Sequence, residues 1–155
     1  MAPTLRRAGP GDADAVAGVF SPSFRLLDFL PVLHTVAEDR WFIEHVILKD
    51  CAVTVAEAAL PGGKSRIVAF LALQDEEVRL LHAHPDWIGR GAGSLLLEHA
   101  KASGTAALEL WCFQANARAR RFYEARGFRA IRFTDGRDND EKTPDVRYRW
   151  QRPGG

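Results

Sequence analysis

The sequence predicts a mixed α/β fold, with a central and mostly antiparallel sheet of six or seven strands flanked by about four helices. Three observations carry this reading. Short β-like runs recur from Thr4 to Trp150, tight turns at Pro61-Gly62-Gly63-Lys64 and Asp75-Glu76 separate neighbouring runs, and helical segments interrupt the series. At 155 residues the chain has the size of one domain, and such a length buries roughly 70% of its unfolded surface without staples. A single domain over residues 1–155 is expected.

The elements follow in order. Thr4 to Ala8 reads as a first strand, and Gly11-Asp12-Ala13-Asp14 as a cap before a helix from Ala15 to Phe20. Residues 21–49 contain Pro22, Pro31, an apolar cluster (Phe24, Leu27, Phe29, Leu30) and a segment from Arg40 to Lys49 with helical spacing at Trp41, His45 and Leu48. Cys51 to Glu57 and Ser65 to Leu73 form a hairpin about Pro61 to Lys64, and Glu77 to His84 is the next strand. A helix to about Ser103, a strand from Ala107 to Phe113 and a helix from Ala117 to Arg126 come next. Gly127 then suits a helix C′ position, and Phe128 starts a further strand. A charged, turn-rich stretch from Thr134 to Pro144 precedes a closing strand from Asp145 to Trp150.

Composition excludes little and favours nothing exotic. Lys plus Arg number 21 against 20 Asp plus Glu, so net charge supplies no argument for a nucleic-acid or membrane partner. Cys51 and Cys112 sit in apolar strand-like runs without a C-x-x-C or disulfide pattern, and read as buried thiols in a reducing compartment. The N-terminus lacks the apolar core of a signal peptide and no run approaches 18 apolar residues, so a soluble cytoplasmic protein is expected. The only metal-ligand set in view, His82, His84 and Cys112, has no argued geometry, and no metal is expected.

Residues 84–94 carry the first chemical signal. A β-rich run stops at Pro85, and Gly89, Gly91 and Gly93 lead into Leu95-Leu96-Leu97-Glu98, making a strand, a glycine turn and a helix start. Closely spaced glycines let backbone approach a ligand, and N–H groups at the positive end of a helix hold an anion. The loop lacks the Gly-Lys-Ser/Thr of a Walker sequence, and its G-x-G-x-G spacing is not the dinucleotide G-x-G-x-x-G. A phosphate of another carrier remains.

The second signal is Asn116, Ala119, Phe122, Tyr123, Gly127 and Phe128, in the order Asn-x-x-Ala-x-x-Phe-Tyr-x-x-x-Gly-Phe. Together with the glycine loop, this resembles the GNAT superfamily of acyl-CoA N-acyltransferases, strongly over about residues 76–133. One position departs from the family pattern: Ile88 stands where Gln or Arg is usual. The resemblance implies a sheet splayed where acyl-CoA enters, acetyl-CoA as co-substrate and an amine of a small molecule or peptide as acceptor. It further implies coenzyme contacts at Leu81, His82, Ala83, Gly89, Arg90, Gly91, Ala92, Gly93, Ser94, Asn116, Phe122 and Tyr123.

Acetyl transfer to an amine requires a neutral nitrogen, and an amine of pKa about 10.4 is about one part in 2,500 neutral at pH 7, a deficit of ~4.6 kcal/mol. A base lowers that deficit. Glu77 falls where several members of the resembled family place one, and period-two alternation sets Glu77, Arg79, Leu81 and Ala83 on one strand face, with Val78, Leu80, His82 and His84 on the other. His82 is the rival base, its ordinary imidazole pKa being near neutral. Tyr123 sits at the family position that serves the departing thiolate, and hydrogen bonding suits it better than proton donation. A phenol near pKa 10 transfers uphill by about 2 kcal/mol to a thiolate near 8.5. Asn116 can cap its helix or bind the pantetheine arm. Trp111 and Phe113 read as core or pocket wall, and Cys112 is disfavoured as a nucleophile for want of an adjacent histidine.

Arg118, Arg120, Arg121 and Arg126 read as a solvated helical face with some reach toward a coenzyme phosphate. Trp41, Phe42, Phe24 and Arg25 are candidate acceptor contacts. The segment Thr134 to Tyr148 reads as a solvated loop, with an acceptor lid or dimer contact as alternatives. Exposed strand edges are compatible with a homodimer. Two other functions stay open: a non-catalytic acyl-CoA binding or sensing module, and a nucleic-acid factor using the Arg118 to Arg126 helix.

Overall fold

The computed structural model describes residues 2–154. Its elements are β1 (Thr4–Arg7), α1 (Ala13–Phe24), α2 (Val36–Phe42), β2 (Ala52–Ala59), β3 (Ser65–Gln74), β4 (Glu77–Ala83), α4 (Ala92–Lys101), β5 (Ala107–Phe113), α5 (Ala117–Glu124), β6 (Arg129–Thr134) and β7 (Asp145–Gln151), while α2 continues through a π-helical turn (Ile43–Ile47) into the short α3 (Leu48–Asp50). Counting that continuous rod once, four helical bodies flank a seven-stranded sheet of order β1-β2-β3-β4-β5-β7-β6. Every neighbouring pair is antiparallel except β4 and β5, so the expected fold is borne out.

The sheet divides the core in two. On one face Leu96, Leu97 and Ala100 of α4 and Tyr123 of α5 pack with Val68, Leu71, Val78, Leu108, Leu110, Cys112, Val146 and Tyr148. On the other, Val16, Val19 and Phe20 of α1 and Ile43 and Ile47 of the π turn pack on Val53, Val55, Phe70 and Ala72. Helices α1 and α2 cover only the β2–β4 half of that second face. By alternation Glu109, Trp111 and Phe113 of β5, and Asp145, Arg147 and Arg149 of β7, point to the uncovered remainder.

The predicted alternation along β4 is corrected by a β-bulge. Leu73 pairs with Val78 but Ala72 with Leu80, leaving Arg79 as the extra residue. Val78 therefore shares the α4 face with Leu81 and Ala83, whereas Leu80 faces α1 and His82 meets the rings of Phe20 and Phe70. Glu77, next to Val78, falls on the side of Leu80 and His82 rather than with Leu81 and Ala83.

The early helical region also differs from its expected stripe. The buried positions are Asp39, Ile43 and Ile47, an i, i+4 series, and Trp41 stacks on His45 (ring centroids 5.0 Å) on the exposed side. Asp39 explains the choice. Only 6% exposed, its carboxylate accepts from the Ser21 hydroxyl at 2.8 Å and from the Arg25 guanidinium, which ties α2 to the end of α1. Helix α1 runs beyond the predicted Phe20 and through Pro22 to Phe24. Asp12 does not cap it through its side chain; the carboxylate turns back to Arg6 and to the Gly9 amide (2.8 Å) instead.

The link from β6 to β7 is an ordered loop. Asn139 donates to the carbonyl of Thr143 at 2.7 Å and accepts from its amide, and Gln114 donates to the carbonyls of Thr134 and Asp145, each at 3.0 Å. Gly136 makes the fold of this loop possible: its φ is +83°, and a Cβ there would lie 2.2 Å from the Thr143 carbonyl carbon and oxygen. Gly136→Ala is expected to cost about 3 kcal/mol in urea unfolding, a Tm loss of roughly 6–12 °C. A change below about 1 kcal/mol would show that the loop is not held as described.

Candidate active site

Strands β4 and β5 meet at one register point, Glu77 opposite Glu109, where the Glu109 amide donates to the Glu76 carbonyl at 2.8 Å. Beyond it β5 pairs with β7 along its whole length and β4 pairs only with β3. From Val78 to Ala83 the β4 edge facing β5 is open. The bulge at Arg79 is the local cause, since an extra residue bends the strand away from its neighbour.

At the far end of β4 the chain turns through Pro85 to Trp87, with the His84 Nδ1 accepting from the Asp86 amide at 3.1 Å, and enters the glycine loop. Gly89 and Gly91 have φ of +79° and +89°, a region that glycine adopts without Cβ strain. Gly91 is the N-cap of α4 and supplies no side chain, so the amides of Ala92, Gly93 and Ser94 have no acceptor among the described residues. Three arginines surround them. The Arg118 Nη2 would meet a Cβ on Gly89 at 3.5 Å, Arg90 stacks on Trp87 at 4.5 Å, and Arg126 donates to the Ser94 hydroxyl at 2.9 Å while lying 3.9 Å over the Phe122 ring. The expected solvated arginine face holds for the exposed Arg118 and Arg121 and is corrected for the half-buried Arg120 and Arg126. Arg118 and Arg126 turn to the loop, and Arg120 donates to the Tyr148 hydroxyl at 3.0 Å. A sequence sign existed for Arg126, which lies i+4 from Phe122 on one helical face.

Helix α5 brings its motif to the same place. Asn116 caps it, its Oδ1 accepting from the Ala119 amide at 3.2 Å. Phe122 touches α4 at Gly93, where a Cβ would lie 3.4 Å from its ring. Tyr123 is 9% exposed and packed against Phe122, Phe128 and Tyr148; its hydroxyl makes no hydrogen bond among the described residues and still contacts solvent. Burial first, and the neighbouring Cys112 second, push its pKa above the usual phenol value, so the group stays protonated.

Cys112 is buried on the same side, and burial pushes its thiol up to about 11. At pH 7.5 only about one thiol in 3,000 would be thiolate. Alkylation by iodoacetamide at that pH is expected to be at least about 100-fold slower for Cys112 in the native protein than in guanidinium. A rapidly labelled native Cys112 would revive it as a nucleophile.

The two base candidates differ sharply in setting. Glu77 stands at the closed end of the splay, 39% exposed at its side chain, and accepts from Arg147 at 2.7 Å. Arg147 also donates to Glu109 at 2.9 Å and lies 5.2 Å over Trp111, and this hydrogen bond, with Arg149 beyond it, holds the Glu109 carboxyl below the usual range. His82 stands among Phe20, Phe24 and Phe70, with its Nδ1 2.9 Å from the Ser23 hydroxyl. Burial lowers its imidazole to about 4.

A histidine with a folded pKa below its unfolded value of about 6.5 binds fewer protons folded than unfolded. Its contribution to stability is then whole above pH 6.5 and is lost as pH falls toward 4. The urea midpoint of the wild type is expected to decline over that window, and the decline is expected to flatten in His82→Gln. Asp12 cannot mimic this. Arg6 first and the Gly9 amide second hold it at about 2, so its contribution fades only below about pH 3.8.

On the uncovered face beside the splay lies a cavity of about 340 Å³, with Trp111 and Phe113 of β5, Arg132 and Thr134 of β6, Asp145 of β7 and the loop residues Asp138, Asn139 and Glu141 around it. The linker between α1 and α2 reaches its rim, the Phe29 ring meeting Phe113 edge-on at 6.0 Å. Trp111 and Phe113 are therefore pocket wall. Of the acceptor contacts read from the sequence, Phe24 packs on His82, Arg25 is spent on Asp39, and none of Trp41, Phe42, Phe24 or Arg25 lines the cavity. The loop acids were missed because a charged, turn-rich stretch looks the same whether or not it folds over a pocket. Among the described residues no group of three or more His, Cys, Asp or Glu could hold a metal ion, and no helix is long and apolar enough to cross a membrane.

The family model for the acetyltransferase (GNAT) domain matches residues 49–130. No curated protein sequence matches the chain. Among solved structures, apo YjaB from Escherichia coli is 22% identical, with 97% of this chain and 98% of that chain covered and a TM-score of 0.76. A GCN5-related N-acetyltransferase from Rhodopseudomonas palustris is 23% identical over 98% and 97%, with a TM-score of 0.77. The PaiA N-acetyltransferase of Thermoplasma acidophilum, solved in complex with coenzyme A, is 15% identical over 98% and 100%, with a TM-score of 0.70. At these identities the likeness is one of fold.

Proposed function

The chain belongs to the GNAT acetyltransferase family, and from that premise we propose that it moves the acetyl group of acetyl-CoA to a primary amine of a small molecule or peptide by direct attack. The observation that carries this reading is the open edge of β4, flanked by the unpaired amides of α4 and by Tyr123 beside Cys112 of β5. These residues suit a coenzyme. The amides of Ala92, Gly93 and Ser94, with Arg90, Arg118 and Arg126, offer donors and positive charge to phosphates, while the Arg90 amide is taken by the Trp87 carbonyl. The open backbone at Leu81, His82 and Ala83, and the Asn116 side chain, offer partners to an amide arm, and Phe122 walls the slot. Ile88 lends no side-chain hydrogen bond, and the neighbouring arginines take its place in the electrostatics.

When bound, the thioester supplies an activated acetyl carbon. A C–N bond to the acceptor forms as the C–S bond breaks, Tyr123 donates a hydrogen bond to the sulfur that leaves as thiolate, and Glu77 takes the proton from the amine, through water where reach requires it. The settings of the two bases favour Glu77. His82, set among Phe20, Phe24 and Phe70 with Ser23 holding its ring, serves as wall, whereas the Glu77 carboxylate is partly open to solvent where the splay begins.

The test is thiol release from acetyl-CoA across a broad amine panel, with the acetylated product identified by mass. Amine-dependent release supports the proposal. Acetyl-CoA binding without transfer would leave a non-catalytic binding module, and no binding by folded protein would sink the coenzyme reading.

A further inference from the structure

The acids around the cavity on the uncovered sheet face are not equivalent, because the fold has already spent some of them. The buried Asp145 carboxylate accepts from the Thr134 hydroxyl and from Asn139 Nδ2 at 3.2 Å. Both cations of the loop are spent as well: Arg137 pairs with Asp135 at 2.8 Å, and Lys142 donates to the Arg137 carbonyl at 2.7 Å. Asp138 and Glu141 are left, with no ion pair or side-chain hydrogen bond among the described residues, against a single lining cation, Arg132. The loop that carries them is held by Asn139, Gln114 and the tight turn at Gly136, so these acids are positioned before a ligand arrives.

We propose that the acetyl acceptor is a small aliphatic dication, an amine with a second ammonium or guanidinium group several bonds away, whose distal charge is held by Asp138 and Glu141 while its alkyl chain lies along Trp111 and Phe113. This rests on the acetyl-transfer reading above and names the substrate class of that site. A cavity of about 340 Å³ is in the range of small-molecule pockets. Its floor is aromatic, with Trp111 44% exposed, and suits the methylenes of an alkyl chain, while Arg147 already lies over the indole. Burial, and then the like charge of Asp140, raises the pKa of Glu141 against a smaller opposing pull from His34. The chemistry gains too. A second positive charge within the acceptor lowers the pKa of the reacting amine and enlarges its neutral fraction.

The experiment compares 1,4-diaminobutane, butylamine and 4-aminobutanoate as acceptors at saturating acetyl-CoA, and measures calorimetric binding of 1,4-diaminobutane alone. The diamine is expected to have a kcat/KM at least about tenfold above butylamine, with the carboxylated amine lowest. In the double variant Asp138→Asn, Glu141→Gln the diamine KM should rise about tenfold with kcat within twofold, and its advantage over butylamine should collapse toward one. Thermal midpoints establish that the variant is folded. Equal use of diamine and butylamine, or preference for 4-aminobutanoate with Arg132 as the reader, would overturn the proposal. If no amine is acetylated the transfer reading fails, while diamine binding that the double variant loses upholds the cation site; loss of both overturns both.

Discussion

Replacing Gly91 by aspartate is expected to lower acetyl-CoA affinity at least about 100-fold, ~2.7 kcal/mol, while the protein stays folded. The two halves of this expectation have separate grounds. Beyond its own local backbone, no atom of the described residues lies within 4 Å of a Cβ built on Gly91, so the side chain meets open space, and the structural cost is the left-handed backbone at φ +89°, about 1–2 kcal/mol. Gly91 is the N-cap of α4, so a carboxylate there can reach the unpaired amides of the first turn, occupying the cradle and repelling phosphate. Gly91→Ala separates the terms, since it carries the strain and the bulk without the charge. Its loss should be intermediate, about tenfold. Calorimetric titration of both variants against wild type, with thermal melts alongside, reads the difference. An aspartate variant that binds normally would place the phosphates elsewhere and remove the ground for the glycine loop as a coenzyme site.

How far such a site can be read from sequence depends on whether its parts are local. The glycine loop and the Asn116 to Phe128 motif are legible because each is a backbone event within a dozen residues, a left-handed turn, a cap or a helical stripe. The open edge of β4 is not. It needs a bulge at Arg79 and a strand order in which β7 takes the whole length of β5, and neither leaves a mark in the hydrophobic pattern. The same bulge defeats simple alternation, which assigned Glu77 to the face of Leu81. Among charged residues, the partner decides the meaning. Arg120 and Arg126 do meet Glu124 and Phe122 as a bare helix allows, yet each also reaches a partner that no local pattern shows, Tyr148 and Ser94, 28 and 32 positions away. The acids of residues 135–145 are the extreme case, because which of them remain free is settled only after Thr134, Asn139 and Arg137 have claimed the others.

The same logic makes Tyr123→Phe the sharper of the mechanistic tests. Its hydroxyl makes no hydrogen bond among the described residues and still contacts solvent, so removing it strands no donor or acceptor, and stability should hold within about 0.5 kcal/mol. If Tyr123 were present only to fill the space between Phe122, Phe128 and Tyr148, phenylalanine would do as well. A group that stabilises a departing thiolate behaves otherwise: kcat is expected to fall about 100-fold, the scale on which a single preorganised donor acts, with the KM for acetyl-CoA within about threefold. The direction of its pKa sharpens the role. Burial raises the phenol further above a thiol near 8.5, so full proton transfer to the sulfur is more uphill than for an ordinary tyrosine, and hydrogen bonding is the form the stabilisation takes. A raised phenol also remains a donor throughout the neutral and mildly alkaline range. Any loss of wild-type activity below about pH 10 would then belong to another group, and the shape of the pH profile should survive in the phenylalanine variant at its lower level. Wild-type turnover by Tyr123→Phe would return this residue to the core and move the search for the sulfur's partner to the open backbone of β4.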